Sequence, residues 1–417
     1  MIEFYRFRRN DLSGSFKSTL TVTEKPNSLI LSSPIFADAL ERMKLRWNVE
    51  PEIAVIAPGR VNLIGEHVDY NGGNVLPAAI DKHLLVLASP RTDGVVRLTA
   101  KGFTDAIEFK LDDLAVGDEG WERYVKGVLA GMTEAGVETT GFDAYVDSTI
   151  PIGGGLSSSA ALEAAFALLC LELAGKTMDR MALAKICQMA ERDFAGVPCG
   201  IMDQAAVLNC ERDHLLLLNC EFETSALTPF DFPDWTVMII DSRVTHALVD
   251  GEYAKRRQGC DKAADILGLK FLGHLPIEKL AGALEHALID EELGRYVRHV
   301  VTEVDRTQKA VQALKRGSID TFGTLLNGSH LSLRADFQVS CKELDFIAAT
   351  AQELDGVAGC RMTGGGFGGS CVALVRKDSA DAVEKAMMTR FMAAFDYEPN
   401  IFTTSLAQGA TLYNLNS

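Results

Sequence analysis

The stretch Pro151-Ile152-Gly153-Gly154-Gly155-Leu156-Ser157-Ser158-Ser159-Ala160 constrains the fold of this chain more than any other. Before it, Phe142–Ile150 alternates as a strand does. After it, Ser157–Leu173 is an apolar run long enough for a buried helix. A strand that passes through glycines into a serine-opened helix leaves backbone N–H groups free at the helix start, with no side chains in the way. Such a terminus takes an anion, and hydroxyls beside it can ligate Mg²⁺ next to a polyphosphate. Plain helix capping by serine is the other reading, and spacing alone does not separate the two. The loop is not a Walker A loop, because GxxxxGK[ST] needs a lysine that is absent here.

Two more glycine-rich loops flank it. The first runs from Ala57 through Pro58, Gly59, Arg60, Val61, Asn62, Leu63, Ile64, Gly65, Glu66, His67, Val68, Asp69, Tyr70 and Asn71 to Gly72 and Gly73, leaving the apolar run Ile53–Ala57. Loops held by rigid elements carry recognition chemistry, and Glu66, His67 and Asp69 can bond several hydroxyls at once. The alternative is a solvated turn with an incidental ion pair. The last loop, Arg361-Met362-Thr363-Gly364-Gly365-Gly366-Phe367-Gly368-Gly369-Ser370, formally satisfies GxGxxG. A strand follows it, however, where a dinucleotide fingerprint needs a helix, so a Rossmann reading is excluded. Asp203, set among apolar residues after Gly200-Ile201-Met202, is either a helix cap or a partly buried acid with a task. Tyr253, in Gly251-Glu252-Tyr253-Ala254-Lys255-Arg256, either offers a phenol to a ligand or sits on an exposed helix.

The chain has 417 residues, 47% hydrophobic and 24% charged, which is ample for a core and suggests two domains. Its net charge of −16 argues against nucleic acid or an anionic membrane as the main partner, since those are bound by Lys and Arg. No apolar stretch is long enough to span a bilayer, and no secretory signal is visible. Nine scattered Cys without CxxC spacing read as reduced, mostly buried thiols. The predicted location is cytoplasmic.

Periodicity predicts helices over Ile35–Trp47, Tyr124–Gly136, Met181–Phe194, Val300–Leu314, Thr321–Leu333 and Ala380–Phe395. It predicts strands at Ile53–Ala57 (ended by Pro58-Gly59), Leu84–Ala88, Val95–Ala100, Leu215–Leu218, Trp235–Ile240, Cys371–Val375 and Ile401–Thr404. This is an α+β pattern with a seam near 210–230. Residues 1–34 read as an N-terminal extension, 35–225 as a first domain and 226–417 as a second.

These segments together resemble the GHMP kinases and, within them, the galactokinases. GRVNLIGEHVDYNGG is similar to the family's sugar signature, IPIGGGLSSSAALE to its ATP loop, and RMTGGGFGGSCVAL to its third motif. Gly200–Gln204, Trp121–Gly127 and Ser329-His330-Leu331-Ser332-Leu333-Arg334 also match family segments. The resemblance implies a GHMP-kinase-like two-domain fold, the second domain ferredoxin-like, with the site in the cleft between them. It implies phosphorylation of galactose at the anomeric hydroxyl, with ATP as co-substrate and Mg²⁺ as cofactor. By position, Asp203 would be the base and Arg60 the cation beside it. Glu66, His67, Val68, Asp69, Gly200 and Tyr253 would hold the sugar. Gly153, Gly154, Gly155, Leu156, Ser157, Ser158 and Ser159 would wrap the phosphates, and Ser159 and Glu191 would ligate the metal.

The sequence departs from the family pattern at Val68, where Thr is usual, and at Gly328, where Glu is common before Ser-His. The nearest alternative is a GHMP kinase for N-acetylgalactosamine, arabinose or galacturonate. A non-catalytic sugar- and ATP-binding regulator would show damage in the serine loop or at the Arg/Asp pair, and both are whole. Oligomeric state is not legible in the sequence.

Overall fold

The computed structural model describes residues 33–115, 120–151, 153–244 and 249–416. The predicted extension, apart from its last two residues, lies outside the described residues, as does Ile152. Helix α1 (Pro34–Trp47) starts as its sequence predicts: Pro34 opens it, the Ser33 hydroxyl accepts from the Phe36 N–H, and Asn48 closes it in the left-handed region at φ 55°. Strand β1 (Ile53–Asn62) follows. The predicted break at Pro58-Gly59 is corrected here, because the strand continues through both residues with a bulge between Pro58 and Arg60. The bulge has a use. A methyl on Gly59 would lie 2.9 Å from the Leu156 carbonyl, and the Arg60 N–H bonds that same carbonyl, so the serine loop docks against it.

Next come β2 (Asn74–Val75), β3 (Pro77–Arg91), β4 (Val95–Ala100), β5 (Ile107–Lys110), α2 (Glu122–Glu134) and β6 (Gly141–Ser148). Helix α3 (Ser158–Leu173) is apolar on every side and buried almost throughout. It is followed by α4 (Arg180–Met189), a π turn over Ala190–Phe194, and α5 (Met202–Asn209). Strands β7 (His214–Asn219), β8 (Thr224–Pro229) and β9 (Trp235–Asp241) lead to α6 (Val249–Ile266), α7 (Leu280–Leu284) and the 25-residue α8 (Glu291–Lys315). The chain ends with α9 (Ile319–Ser332), α10 (Lys342–Gln352), β10 (Val357–Thr363), β11 (Ser370–Arg376), α11 (Ala380–Phe395), β12 (Asn400–Thr404) and β13 (Thr411–Asn414).

The first sheet has the order β13-β1-β3-β6-β4-β5, with only the β4–β6 pair parallel. Helix α1 packs on one face through Phe36, Ala39 and Met43, and α3 packs against β1 and β3 in the main core. The second sheet, β10-β11-β9-β12, is antiparallel throughout. In chain order this is a split β-α-β with α11 before the last strand, the ferredoxin-like arrangement. A small third sheet joins β2, β7 and β8. A division at 225/226 falls within β8, and β13 crosses back to the first sheet. All nine cysteines are free and none is exposed. Among the described residues, no helix is long and apolar enough to cross a membrane.

Candidate active site

The three glycine loops converge where the two larger sheets meet. Arg60, near the end of β1, is only 4% exposed and forks onto Asp203: Nε donates to Oδ1 at 2.7 Å and Nη2 to Oδ2 at 2.7 Å. Its Nη1 donates to the Gly155 carbonyl at 2.7 Å, tying the serine-loop backbone to the same cation. Burial works against the charge of Arg60, but Asp203 outweighs it and raises the guanidinium above its ordinary pKa. Asp203 does not cap α5. It lies in the first turn behind Ile201, where the helix dipole favours a negative group.

The serines are not plain caps either. Ser157 opens α3 at φ 61° with no capping bond, and its hydroxyl donates to Asp203 Oδ2 at 2.6 Å. The Ser159 hydroxyl donates to Glu191 Oε1 at 2.8 Å. The other glycine loops complete this arrangement. The Ser370 hydroxyl bonds the Gly154 carbonyl at 2.7 Å, and a methyl on Gly364 would lie 3.2 Å from the Gly155 carbonyl. Leu156 is buried, whereas Gly153 and Gly155 are exposed and Ser158 is half-buried.

Arg60, Glu66, His67, Asp69, Glu191, Gly200, Asp203 and Tyr253 line one cleft, together with Cys199, Met202, Gly364 and Gly365. Glu66 is held by a buried ion pair with Arg361 and by the Gly364 N–H at 3.1 Å. The Gly365 carbonyl can only accept, so His67 Nε2 carries the proton toward it at 3.2 Å and Nδ1 accepts from the Tyr70 hydroxyl at 2.9 Å. Burial, with His299 nearby, pushes the His67 imidazole down to about 3, so it faces the cleft as a neutral ring. The Tyr253 ring stands 5.5 Å from that of His67, centroid to centroid. Gly200 is required because any side chain there would collide with the Asp69 carboxylate. Val68 is the exception among the residues predicted to hold the sugar: it is fully buried, packs beside Gly73 and is not among the residues lining the cleft, and residues 153–159 of the serine loop also lie outside that lining.

Burial, reinforced by the charges of Asp203 and Glu66, pushes Asp69 up to about 7. A ligand hydroxyl donating to Asp69 would favour its ionised form. On the reading that the cleft takes a hydroxyl-bearing substrate, kcat/KM for it should rise with pH through about 7, as one proton leaves, and Asp69→Asn should flatten this limb. Stability has the opposite slope. A carboxyl whose folded pKa lies above its unfolded value of about 3.9 contributes stability at low pH and loses it as pH climbs toward 7. Thermal melts across pH on both proteins check this.

Glu191 lies in the π turn at 6% exposure, and burial plus the charge of Asp203 raises it above the usual carboxylate range. The Gln204 amide bridges it to Glu163, which is fully buried. The Ser159 hydroxyl and the Glu191 carboxylate are hard oxygen donors. They fit Mg²⁺, which keeps waters and substrate phosphates on its other positions, and a cation would favour ionised Glu191. Among the described residues no group of three His, Cys, Asp or Glu forms a metal cluster, as a protein cage would require.

Sequence reasoning passed over four contributors: Arg361, Gln204, Glu303 and His299. Arg361 left a signal as a charge beside Cys360 and Met362, and it is fully buried; Gln204 closes the Gly200–Gln204 segment.

Comparison with known proteins agrees with this geometry. The GHMP kinases N terminal domain matches residues 123–211, the galactokinase galactose-binding signature residues 45–90, and the GHMP kinases C terminal domain residues 310–394. A galactokinase of Streptomyces coelicolor is 44% identical over 374 residues, covering 89% of this chain and 96% of the relative. A galactokinase of Homo sapiens is 43% identical, covering 83% of this chain and 89% of the relative. A crystal structure of Lactococcus lactis galactokinase complexed with galactose superposes with a TM-score of 0.88 at 34% identity, covering 90% of this chain and 99% of that one. Mevalonate kinase, at 18% identity and a TM-score of 0.60, shares the fold. Motifs, fold and relatives converge: the chain belongs to the galactokinase family within the GHMP kinases, and is an ATP-dependent sugar kinase.

Proposed function

We propose that this chain transfers the γ-phosphoryl group of ATP to the anomeric hydroxyl of galactose, giving galactose 1-phosphate and ADP. The observation that carries this reading is the two-bond fork between Arg60 and Asp203 at the cleft wall, with Ser157 of the ATP loop on the same carboxylate. Phosphoryl transfer is mainly positioning plus charge stabilisation, so it calls for an oriented nucleophile beside a phosphate cradle. Asp203 accepts the proton of the anomeric hydroxyl as that oxygen attacks the γ-phosphorus and the bond to ADP breaks. Arg60 steadies Asp203 and the moving phosphoryl charge. Glu66, His67, Asp69, Gly200 and Tyr253 hold the sugar, and Gly153–Ser159 present backbone N–H groups to the phosphates. Ser159 and Glu191 would hold Mg²⁺, which would supply charge neutralisation for the phosphates. In the same reading 35–225 and 226–417 are the two domains, with β13 returning to the first, and the free thiols suit the cytoplasm.

A panel of free sugars with ATP, read as ADP release, tests the assignment: galactose is turned over first. Turnover of N-acetylgalactosamine, arabinose or galacturonate in its place would overturn it. Ser159→Ala and Glu191→Ala should each raise the Mg²⁺ needed for half-maximal rate by roughly 10- to 100-fold, with galactose binding unchanged. Magnesium titrations alongside galactose calorimetry separate this from a general loss of fold.

A further inference from the structure

The segment Ser329–Arg334 matches the family, yet no residue of it lines the cleft. Its contacts point to a role one layer back. Glu303, on α8 and fully buried, takes three donors on one oxygen: the N–H of Gly65 at 2.9 Å, the N–H of Glu66 at 3.2 Å, and the Ser329 hydroxyl at 2.6 Å. Its other oxygen accepts from Arg306 Nε at 2.8 Å. Burial opposes this charge, but Arg306 and the donors outweigh it and hold the carboxylate down at about 2. One turn earlier His299, also fully buried, reaches the Glu66 carbonyl at 3.1 Å and the Ser332 hydroxyl at 3.0 Å. The carbonyl only accepts, so His299 Nε2 donates there, while Nδ1 lies against the Ser332 hydroxyl, which also bonds the Asp336 carboxylate at 3.1 Å. Both backbone groups of Glu66 are thus gripped by α8, and α9 sets the residues that grip them.

On the reading that the cleft binds galactose, we infer that Glu303 and His299 are positioning residues for that sugar. They never meet it, yet they fix its affinity by holding the backbone from which Glu66 and His67 project, with Ser329 and Ser332 bracing them. A sugar loop anchored only by its own turns would have to be ordered by the sugar at the moment of binding, which weakens binding. The anchor removes that cost on the galactose side alone, since neither residue contacts the ATP loop.

The test compares Glu303→Gln, Ser329→Ala and Ser332→Ala with Leu314→Ala, a core change about three turns further along α8. Galactose KM, ATP KM, kcat and melting temperature are measured for each full-length variant. Loss of a buried charge-assisted bond corresponds to about 10- to 100-fold. Galactose KM should rise by that factor in Glu303→Gln and by about 3- to 10-fold in the two serine variants, with ATP KM within about two-fold. Leu314→Ala should lower the melting temperature and leave galactose KM alone. If Glu303→Gln fails to fold, the serine variants carry the test. The inference is overturned if galactose KM holds in all three, or if the galactose and ATP values drift together with melting temperature. Wild-type protein inert toward galactose would instead count against the functional reading, and the same variants are then scored on the sugar that it does phosphorylate.

Discussion

Asp203→Asn should lose about 10²- to 10⁴-fold in kcat while still binding galactose and ATP. Two physical effects add in this variant. The amide cannot take the hydroxyl proton, and its NH₂ must face a donor, because Arg60 approaches both oxygens and Ser157 one of them. A largely dissociative transition state asks less of the nucleophile and would move the loss toward the low end. Arg60→Ala should differ in kind. Arg60 also holds the Gly155 carbonyl, so its removal should lower kcat and raise the KM for ATP together. Steady-state kinetics with calorimetric galactose binding checks both variants. An Asp203→Asn protein that is folded, binds galactose and keeps near wild-type kcat would make this aspartate a structural group.

Selectivity between epimers should be equally steep. Galactose should be preferred over glucose, its C4 epimer, by on the order of 10⁴-fold in kcat/KM, because a site built to bond a hydroxyl leaves buried groups unpaired when it is misplaced. Glu66, Asp69 and Tyr253 line the cleft; Glu66 is buried on its ion pair with Arg361, and Asp69 and Tyr253 are half-buried. Valine at 68 does not soften this expectation. Its side chain is fully buried and sits where a methyl on Gly73 would come within 2.7 Å of its Cβ, so the missing threonine hydroxyl is missing from the core. Matched progress curves on the two sugars decide the point, and comparable rates would remove galactose as the substrate.

What the sequence showed, and what it hid, follows from the range of the interactions. Helices α1, α3 and α11 carry strong local signals and occur where periodicity places them. The glycine loops were legible because glycine runs beside apolar runs have few structural readings. The short strands β2, β5 and β13 were not predicted, since each exists only through a partner elsewhere in the chain. The Met181–Phe194 helix holds to Met189, but its last turn widens into a π turn that places Glu191 beside Ser159. Glu303 and His299 lie in a charge-rich helix, where no local pattern marks them out. Only the docking of α8 behind the sugar loop buries them.

The pairing of β13 with β1 has a consequence for synthesis. Ile53 meets Asn414, a partner made about 360 residues later, so the edge of the first sheet stays open during most of translation. An unpaired edge with its N–H and C=O groups exposed invites pairing with other chains. The nascent first half therefore carries an edge open to pairing with other chains until β13 is made. A fragment ending near residue 225, made alone, would carry that open edge permanently and should be recovered chiefly as aggregate.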